Sequence, residues 1–241
     1  MVQSKNAKKI DVVILCGGKG VRLRFLTKNL PKSMVEFGGR PYLSILMEYL
    51  VSFGFKRFIL CIGYKGEVIK KYYKERKFCG KILFSEEKMA LGTGGAIKNA
   101  RRLVQSSPFL AMNADSICRL NFNSFIDFHF KKIALLSMAL VKIKKNLNSG
   151  KVSLDRAGRI IRFEEKTKGN GNNFDSAGIY LMNKEIFSFT NGRKKFSLEY
   201  DLFPKILDKR CFGFKQKADL IDFGTPREYK RAKQLFSKGL L

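Results

Sequence analysis

Apolar and polar residues follow two different periods along the first two-thirds of the chain. Runs of consecutive apolar residues predict strands at 12–16, 58–62, 82–84 and 109–113. Apolar residues three or four positions apart predict helices at 41–54, 67–73 and 96–104. Because strands and helices alternate, we expect an α/β fold with a doubly wound, mostly parallel sheet that carries helices on both faces.

The pattern becomes richer in strands beyond Leu135. Strands are predicted at 135–141, 151–154, 159–163 and 177–181, with turns signalled at 148–150, 157–158 and 169–171. We interpret this region as partly antiparallel structure added over the carboxyl edge of the sheet. Open α/β sheets bind ligands at the carboxyl ends of their strands, so the residues after each strand are the first candidates for chemistry.

Length and composition narrow the class of protein. The 241 residues, 45% of them hydrophobic, are enough for one substantial core, and we expect a single domain. No apolar run is long enough to span a membrane, and the N-terminal residues do not resemble a signal peptide. The five cysteines form no pair at metal-site spacing and are interpreted as reduced thiols. These features predict a cytoplasmic protein.

The formal net charge is +28, which is typical of proteins with a polyanionic partner such as a nucleotide, pyrophosphate, nucleic acid or an acidic membrane surface. The lysines are spread along the chain, however, so a solvated lysine-rich surface accounts for the charge more simply. The single histidine, His129, lies between two phenylalanines in a helical stretch and is interpreted as structural. This interpretation excludes schemes that need a histidine base or nucleophile.

A glycine-rich loop follows the first predicted strand. Residues 17–23 have the sequence Gly-Gly-Lys-Gly-Val-Arg-Leu, whose backbone N–H groups can approach phosphate oxygens, and Arg22 and Lys32 add positive charge. A dinucleotide-binding loop is not favoured, because Leu23 stands where its third glycine would fall and no acid ends the second strand at Gly63. The spacing does not fit a P-loop either. An ordinary tight turn remains the alternative.

A second glycine-rich segment, residues 91–96, has the sequence Leu-Gly-Thr-Gly-Gly-Ala and lies between a predicted strand and a predicted helix. Thr93 is placed to cap the helix, and the glycines would allow the backbone to approach a flat base. By itself the segment is equally typical of a glycine-rich turn.

Carboxylates follow two of the predicted strands and one short apolar run. Asp115 comes directly after strand 109–113, Glu164 and Glu165 end strand 159–163, and Asp222 follows a short apolar run. An aspartate near phosphates is a natural Mg²⁺ ligand, and Asp115 with Asp222 would form a pair able to hold one ion. Either acid alone is more typical of a surface turn.

Taken in order, these segments resemble the sugar-1-phosphate nucleotidyltransferases and, within that family, the bacterial manno-heptose-1-phosphate guanylyltransferases. The resemblance covers about residues 10–235 and also includes residues 26–27, 31–32, 176–180, 197–199 and 222–226. It implies a Rossmann-like fold of the glycosyltransferase-A kind, with extra antiparallel strands over the sugar site. It also implies one catalytic domain over residues 1–241 without a C-terminal extension.

The resemblance further implies a reaction in which an NTP and a sugar 1-phosphate give a nucleotide sugar and pyrophosphate, with Mg²⁺ as cofactor. The first candidate is guanylyl transfer to a manno-heptose 1-phosphate for surface polysaccharide synthesis. Catalysis is assigned to Arg22, Lys32 and Lys166, and the metal to Asp115 and Asp222. The nucleotide is assigned to Leu15, Gly17, Gly18, Gly20, Leu91, Gly92, Thr93 and Gly94. The sugar phosphate is assigned to Asn113, Gly150, Glu164, Glu165, Lys166, Gly178, Ser197 and Glu199.

Three positions depart from the family's pattern. Val21 replaces a threonine or small residue, Phe25 replaces a proline, and Ala114 replaces the glycine of Asn-Gly-Asp. None of them removes a charged group, so we expect activity to be retained. A protein base is not required, because a sugar phosphate with a second pKa near ~6 is already mostly ionised at neutral pH.

Three alternatives stay open. The first is uridylyl, thymidylyl or cytidylyl transfer to a hexose or amino-sugar 1-phosphate. The second is a nucleic-acid-binding protein, which the charge and the 22 phenylalanines suggest but which no recognised binding motif supports. The third is an inactive homologue that serves as a regulatory subunit. The sequence does not decide between a monomer and a homo-oligomer.

Overall fold

A mixed sheet forms the centre of the computed structural model, which describes residues 6–142, 149–165, 174–190, 192–217 and 220–238. The strands are β1 (Asp11–Leu15), β2 (Glu36–Phe37), β3 (Arg40–Pro41), β4 (Arg57–Ile62), β5 (Lys81–Glu86), β6 (Phe109–Asn113), β7 (Ser116–Cys118), β8 (Leu136–Lys142), β9 (Lys151–Leu154), β10 (Ile160–Glu164), β11 (Phe174–Met182), β12 (Cys211–Lys215) and β13 (Leu220–Asp222). The helices are α1 (Arg24–Thr27), α2 (Tyr42–Ser52), α3 (Gly66–Lys74), α4 (Gly92–Ala100), α5 (Phe122–Lys131), α6 (Phe203–Ile206) and α7 (Pro226–Ser237).

The main sheet combines a parallel and an antiparallel part. Its order is β10-β9-β11-β6-β1-β4-β5, and β8 pairs with β11 and β12. Strands β6, β1, β4 and β5 are parallel, whereas β11 is antiparallel to β6, β8 and β9. The predicted fold class is therefore confirmed, including the antiparallel strands added beside the parallel ones.

Some elements differ from the prediction in their extent. The helix predicted at 96–104 is α4, which begins earlier because the N–H groups of Gly94 and Gly95 both donate to the carbonyl of Phe196. The strand predicted at 177–181 is the longer β11. Strands β7, β12 and β13 were not predicted, since three to five residues carry little periodic signal. The turn signalled at 169–171 lies outside the described residues.

Two apolar layers cover the faces of the sheet. On one face α2, α3, α5 and α7 pack against alternate residues of the strands, and on the other α4 and α6 do so. Aromatic rings dominate the first layer, where the Tyr42 ring lies 4.8 Å from that of Phe223 and the Phe37 ring 5.3 Å from it. This cluster packs Phe223, the residue that follows β13, against α2.

His129 is buried in α5, as expected of a structural histidine. Its Nδ1 lies 2.9 Å from the hydroxyl of Ser137 on β8, and burial lowers its pKa to about 4. The imidazole is therefore neutral at pH 7. All five cysteines are free thiols. Along the described parts of the chain, no helix has the length and apolar character to cross a membrane.

Candidate active site

A cleft of about 320 Å³ opens at the carboxyl ends of the parallel strands. Residue Leu15 at the end of β1 is the register partner of Cys61 on β4 and of Asn113 on β6, so the loops after these strands meet at one edge. The cleft is lined by Leu15, Cys16, Gly17, Gly18, Lys32, Ser33, Glu87, Ala90, Gly92, Thr93, Ala96, Asn113, Ala114 and Asp115. We call residues 15–18, 32–33, 87–96 and 113–115 the loop wall of the site.

An ion pair lies on this wall. Lys32 Nζ and Asp115 Oδ2 are 2.8 Å apart, and the ammonium group also lies 5.2 Å from the centre of the Phe223 ring. The side chain of Lys32 is nearly buried, whereas that of Asp115 remains 38% exposed. The sequence predicted both residues but not that they pair. The carboxylate is thus accessible from the cleft while the cation is held beside it.

The backbone also brings the second predicted metal residue to this place. Strand β13 pairs with β7 so that Asp222 is the register partner of Ser116, and the Phe223 N–H donates to the Asp115 carbonyl at 3.3 Å. No three His, Cys, Asp or Glu side chains in the described ranges cluster as a metal cage. Magnesium is usually held by one or two carboxylates together with substrate phosphates, and the partly exposed Asp115 carboxylate is compatible with such a site.

The first glycine-rich loop is shaped by Gly20 and Thr27. Gly20 adopts a left-handed conformation (φ 58°), and the Thr27 hydroxyl donates to its carbonyl at 3.0 Å. A Cβ built on Gly18 would meet nothing within 4 Å, so the backbone there is open to a ligand. Arg22 is exposed on the turn after Gly20, and both residues lie outside the set that lines the cleft.

The second glycine-rich segment is built differently from the prediction. Thr93 does not cap α4: it lies inside the helix, where its hydroxyl donates to Glu199 Oε2 (2.5 Å) and accepts from the Leu198 N–H (2.9 Å). A Cβ on Gly94 would come within 2.2 Å of the Phe196 ring. This glycine therefore allows packing between two parts of the chain, whereas Gly92 and Thr93 line the cleft.

Ser197 and Glu199 belong to the same contact. The Ser197 hydroxyl accepts from the N–H groups of Glu199 and Tyr200, which caps the helical turn Leu198–Leu202, and it donates to Glu199 Oε2 at 2.6 Å. The two residues are thus tied to the start of α4. Their assignment to the sugar pocket stays a prediction.

A second group of residues, 149–151, 163–165 and 174–178, meets the lining of the cleft at Asn113, and we call this group the strand wall. Gly178, at a bulge of β11, has φ 68°, and a Cβ there would lie 2.7 Å from Asn113 Nδ2. A Cβ on Gly150 would lie 3.0 Å from Glu165 Oε2. Glu164 is instead paired with Arg162 at 2.6 Å. Four predicted residues are therefore in contact in two pairs, Asn113 with Gly178 and Glu165 with Gly150. The fifth, Lys166, lies outside the described residues.

Glu87 was missed by the sequence analysis. It follows β5 directly, accepts the Leu91 N–H at 2.9 Å, and would lie 3.0 Å from a Cβ on Gly17. Burial raises its pKa above the ordinary carboxyl value. The rule that identified Asp115, an acid just after a strand, applies equally to Glu87 and could have found it.

A parallel sheet whose carboxyl edge carries glycine-rich loops, an exposed carboxylate and neighbouring cations defines a nucleotide-handling enzyme. The chain belongs to the nucleotidyl transferase family, which matches residues 11–238, and it is an enzyme of that class. Sugar nucleotidyltransferases generally use a divalent metal ion.

Individual relatives are similar over most of the chain. The D-glycero-alpha-D-manno-heptose 1-phosphate guanylyltransferase of Aneurinibacillus thermoaerophilus is 35% identical over 226 residues, which cover 93% of this chain and 97% of the relative. The mannose-1-phosphate guanyltransferase of Saccharomyces cerevisiae is 33% identical over 95% of this chain but only 65% of its own length. The crystal structure of HddC from Yersinia pseudotuberculosis complexed with GMP-PN has a TM-score of 0.81 and 34% identity, covering 94% of this chain and 99% of that one.

Proposed function

We propose that this enzyme transfers the guanylyl group of GTP to a D-glycero-D-manno-heptose 1-phosphate and releases pyrophosphate, in the cytoplasm where both substrates would be made. The observation that carries the proposal is the cleft itself, whose loop wall combines open glycine backbone, the Lys32–Asp115 pair and the Glu87 carboxylate. The similarity to a heptose-specific guanylyltransferase over nearly the whole of both chains supports the choice of base and sugar.

The base is assigned to the part of the loop wall that holds Glu87. A guanine presents two neighbouring donors, N1–H and the 2-amino group, and a carboxylate can accept from both. Adenine, uracil and thymine do not offer this pair of donors. A half-buried carboxylate at the edge of the cleft therefore favours guanine among the common bases.

The phosphates are assigned to the loop after β1 and to Lys32. The chemical step forms a bond from the sugar-phosphate oxygen to the α-phosphorus and breaks the bond from that phosphorus to the leaving pyrophosphate. Its two reactants are both anions, so the protein must hold them in line and neutralise charge, for which Arg22, Lys32 and Lys166 are the candidates. Mg²⁺, held by Asp115 and Asp222 when bound, would screen the phosphate charge.

The sugar 1-phosphate is assigned to the strand wall. Gly150 and Gly178 let the Glu165 and Asn113 side chains approach the backbone closely, and the carboxylate and amide of these side chains can bond to sugar hydroxyls. Because β11 is antiparallel to β6, its first residues extend past the carboxyl end of β6, the same end at which the cleft opens. This position supports an acceptor site next to the nucleotide site.

The proposal is tested by pyrophosphate release from GTP, ATP, UTP, CTP and dTTP in combination with the 1-phosphates of manno-heptose, mannose, glucose and N-acetylglucosamine. We expect release only when a nucleotide, a sugar 1-phosphate and a divalent ion are all present, with GTP and manno-heptose 1-phosphate giving the highest kcat/KM. EDTA should abolish it and added Mg²⁺ should restore it.

A higher kcat/KM for UTP or dTTP than for GTP with every sugar would overturn the choice of base. A preference for mannose 1-phosphate would overturn the choice of sugar alone. Salt-sensitive binding to random oligonucleotides without turnover on any sugar phosphate would favour the nucleic-acid alternative.

A further inference from the structure

Two largely buried ion pairs join neighbouring strands of the main sheet in its described part, and they lie at opposite edges. Arg57 on β4 and Asp11 on β1 are register partners at the amino ends of these strands, with Nη1 and Oδ2 2.8 Å apart. Lys151 on β9 and Asp175 on β11 are also register partners, but they lie at the strand wall of the cleft. The first pair thus lies at the amino ends of the parallel strands, and the second lies beyond the carboxyl end of β6, where the cleft opens.

The Lys151–Asp175 pair is the more deeply buried of the two. The Asp175 side chain is fully inaccessible to solvent, and that of Lys151 is 10% exposed. Asp175 Oδ1 accepts from Lys151 Nζ and also from the Ser149 hydroxyl, which lies 2.7 Å away. Ser149, Lys151 and Asp175 therefore form a polar group inside the antiparallel part of the sheet.

Stability alone does not account for such a group. The free-energy cost of desolvating two buried charges can exceed the free energy gained from their attraction. An apolar pair of similar size often stabilises a fold equally well. The group does distinguish one strand register from its neighbours. If β9 slipped by one residue along β11, Lys151 would point to the other face of the sheet and leave Asp175 buried without its cation.

This register determines the position of the predicted sugar-pocket residues. The Ser176 N–H donates to the Gly150 carbonyl at 2.8 Å, one residue from each member of the ion pair. Gly150 in turn contacts the Phe163 ring and the Glu165 carboxylate, since a Cβ on it would lie 2.5 Å and 3.0 Å from them. A shift of β9 would therefore displace the backbone against which Glu165 is placed.

We propose that Ser149, Lys151 and Asp175 form a register lock whose role is to position Gly150 and Glu165 for the sugar 1-phosphate. The identity of that ligand rests on the proposed function. The three residues are positioning residues: they act through the backbone of β9 and β11. Their loss should weaken use of the sugar phosphate and leave the nucleotide side of the cleft unchanged.

The test replaces the pair by apolar residues of similar length, Lys151→Met with Asp175→Leu, because removal of one partner alone would leave a buried charge and could prevent folding. We expect KM for the sugar 1-phosphate to rise about 10- to 100-fold, as a displacement near 1 Å can cause, while KM for GTP changes by less than about twofold. Lys151→Arg, which keeps the cation, should retain a KM near the wild-type value.

The matched control is the other ion pair, replaced as Arg57→Met with Asp11→Leu. It should lower Tm and leave both KM values unchanged. Amide hydrogen exchange provides a readout that is independent of turnover: protection of the Ser176 N–H should fall in the Lys151 and Asp175 variant and stay unchanged in the control.

The outcomes separate the two proposals. A wild-type protein without transfer activity would refute the proposed function, and hydrogen exchange would still test the lock. Unchanged protection of Ser176 together with an unchanged sugar KM would overturn the lock. Equal increases in both KM values would also overturn it, because they indicate a general loss of structure.

Discussion

The two walls of the cleft are stabilised by different means. The loop wall lies on parallel strands whose ends are aligned by the sheet, and its ligand-facing groups are loop backbone and the Lys32–Asp115 pair. The strand wall depends on antiparallel pairing of β9 and β11, on a bulge at Gly178 and on a fully buried carboxylate. Both walls thus depend on strand register, and the strand wall in addition contains a buried ion pair between its strands. Damage to the two walls should therefore affect different substrates.

The largest expected effect comes from removing the Asp115 carboxylate from the loop wall. Asp115→Ala should lower kcat by about 10²–10³-fold, the usual loss when one charge-stabilising group is removed from a transition state. The Asp115 side chain is 38% exposed and lies outside the apolar core, so the variant should remain folded, which a Tm measurement checks. Steady-state kinetics over a range of Mg²⁺ concentrations measure the effect. Asp208→Ala, at an exposed site paired with Lys209, is the control for loss of a surface charge. Wild-type kinetics for Asp115→Ala would remove this residue from the site.

A paired replacement tests whether the predicted cations Arg22 and Lys166 serve different substrates. A charge-assisted hydrogen bond contributes about 1.5–3 kcal/mol, so loss of one should change a KM by about 10- to 100-fold. We expect Arg22→Ala to act on GTP and Lys166→Ala to act on the sugar 1-phosphate, each in initial-rate measurements with the other substrate saturating. If both variants raise the same KM, the assignment of these two cations to different substrates is wrong.

Glu87→Gln should weaken the selection of the base. Two hydrogen bonds to a base edge contribute about 1–3 kcal/mol of discrimination, so the ratio of kcat/KM for GTP to that for ITP, which lacks the 2-amino group, should fall by about 10-fold. An unchanged ratio would show that the carboxylate does not contact the base.

The same residue predicts a pH dependence. Burial raises the pKa of Glu87, so its ionised form should be lost, as pH falls, at a higher pH than for an ordinary glutamate. The affinity for GTP should therefore be complete above this raised pKa and decline below it. In Glu87→Gln this acid limb should be absent when KM for GTP is measured against pH.

The smallest effect compares two glycines of the loop wall. Alanine in a helix is normally favoured over glycine by about 1 kcal/mol, but a Cβ on Gly94 would overlap the Phe196 ring, and overpacking of this kind destabilises by about 1–3 kcal/mol. Gly94→Ala should therefore lower the urea midpoint. Gly18→Ala, with open space around its Cβ, should change stability by less than about 0.5 kcal/mol and act on KM for GTP instead. The reverse pattern would contradict the packing role of Gly94.

The sequence predicted the loop wall better than the strand wall, for a physical reason. Apolar periodicity locates strand ends, and parallel topology brings those ends together, so Gly17, Asn113 and Asp115 follow from one rule. The helix-capping role of Thr93 was predicted wrongly, because its partner Glu199 is distant in sequence and no local pattern shows that contact. The Lys151–Asp175 pair was not predicted either, since buried charges in a strand contradict the expected apolar pattern and register is not visible in a single chain.

The central claim is that one cleft holds guanine at Glu87 and the heptose at Gly150 and Glu165. The most direct measurement is a crystal structure of the enzyme with its nucleotide-sugar product, a GDP-manno-heptose. We predict that N1 and the 2-amino group of the guanine lie within hydrogen-bond distance of the Glu87 carboxylate and that the heptose lies against the strand wall. A product with its guanine against the strand wall, or bound outside the cleft, would contradict the account.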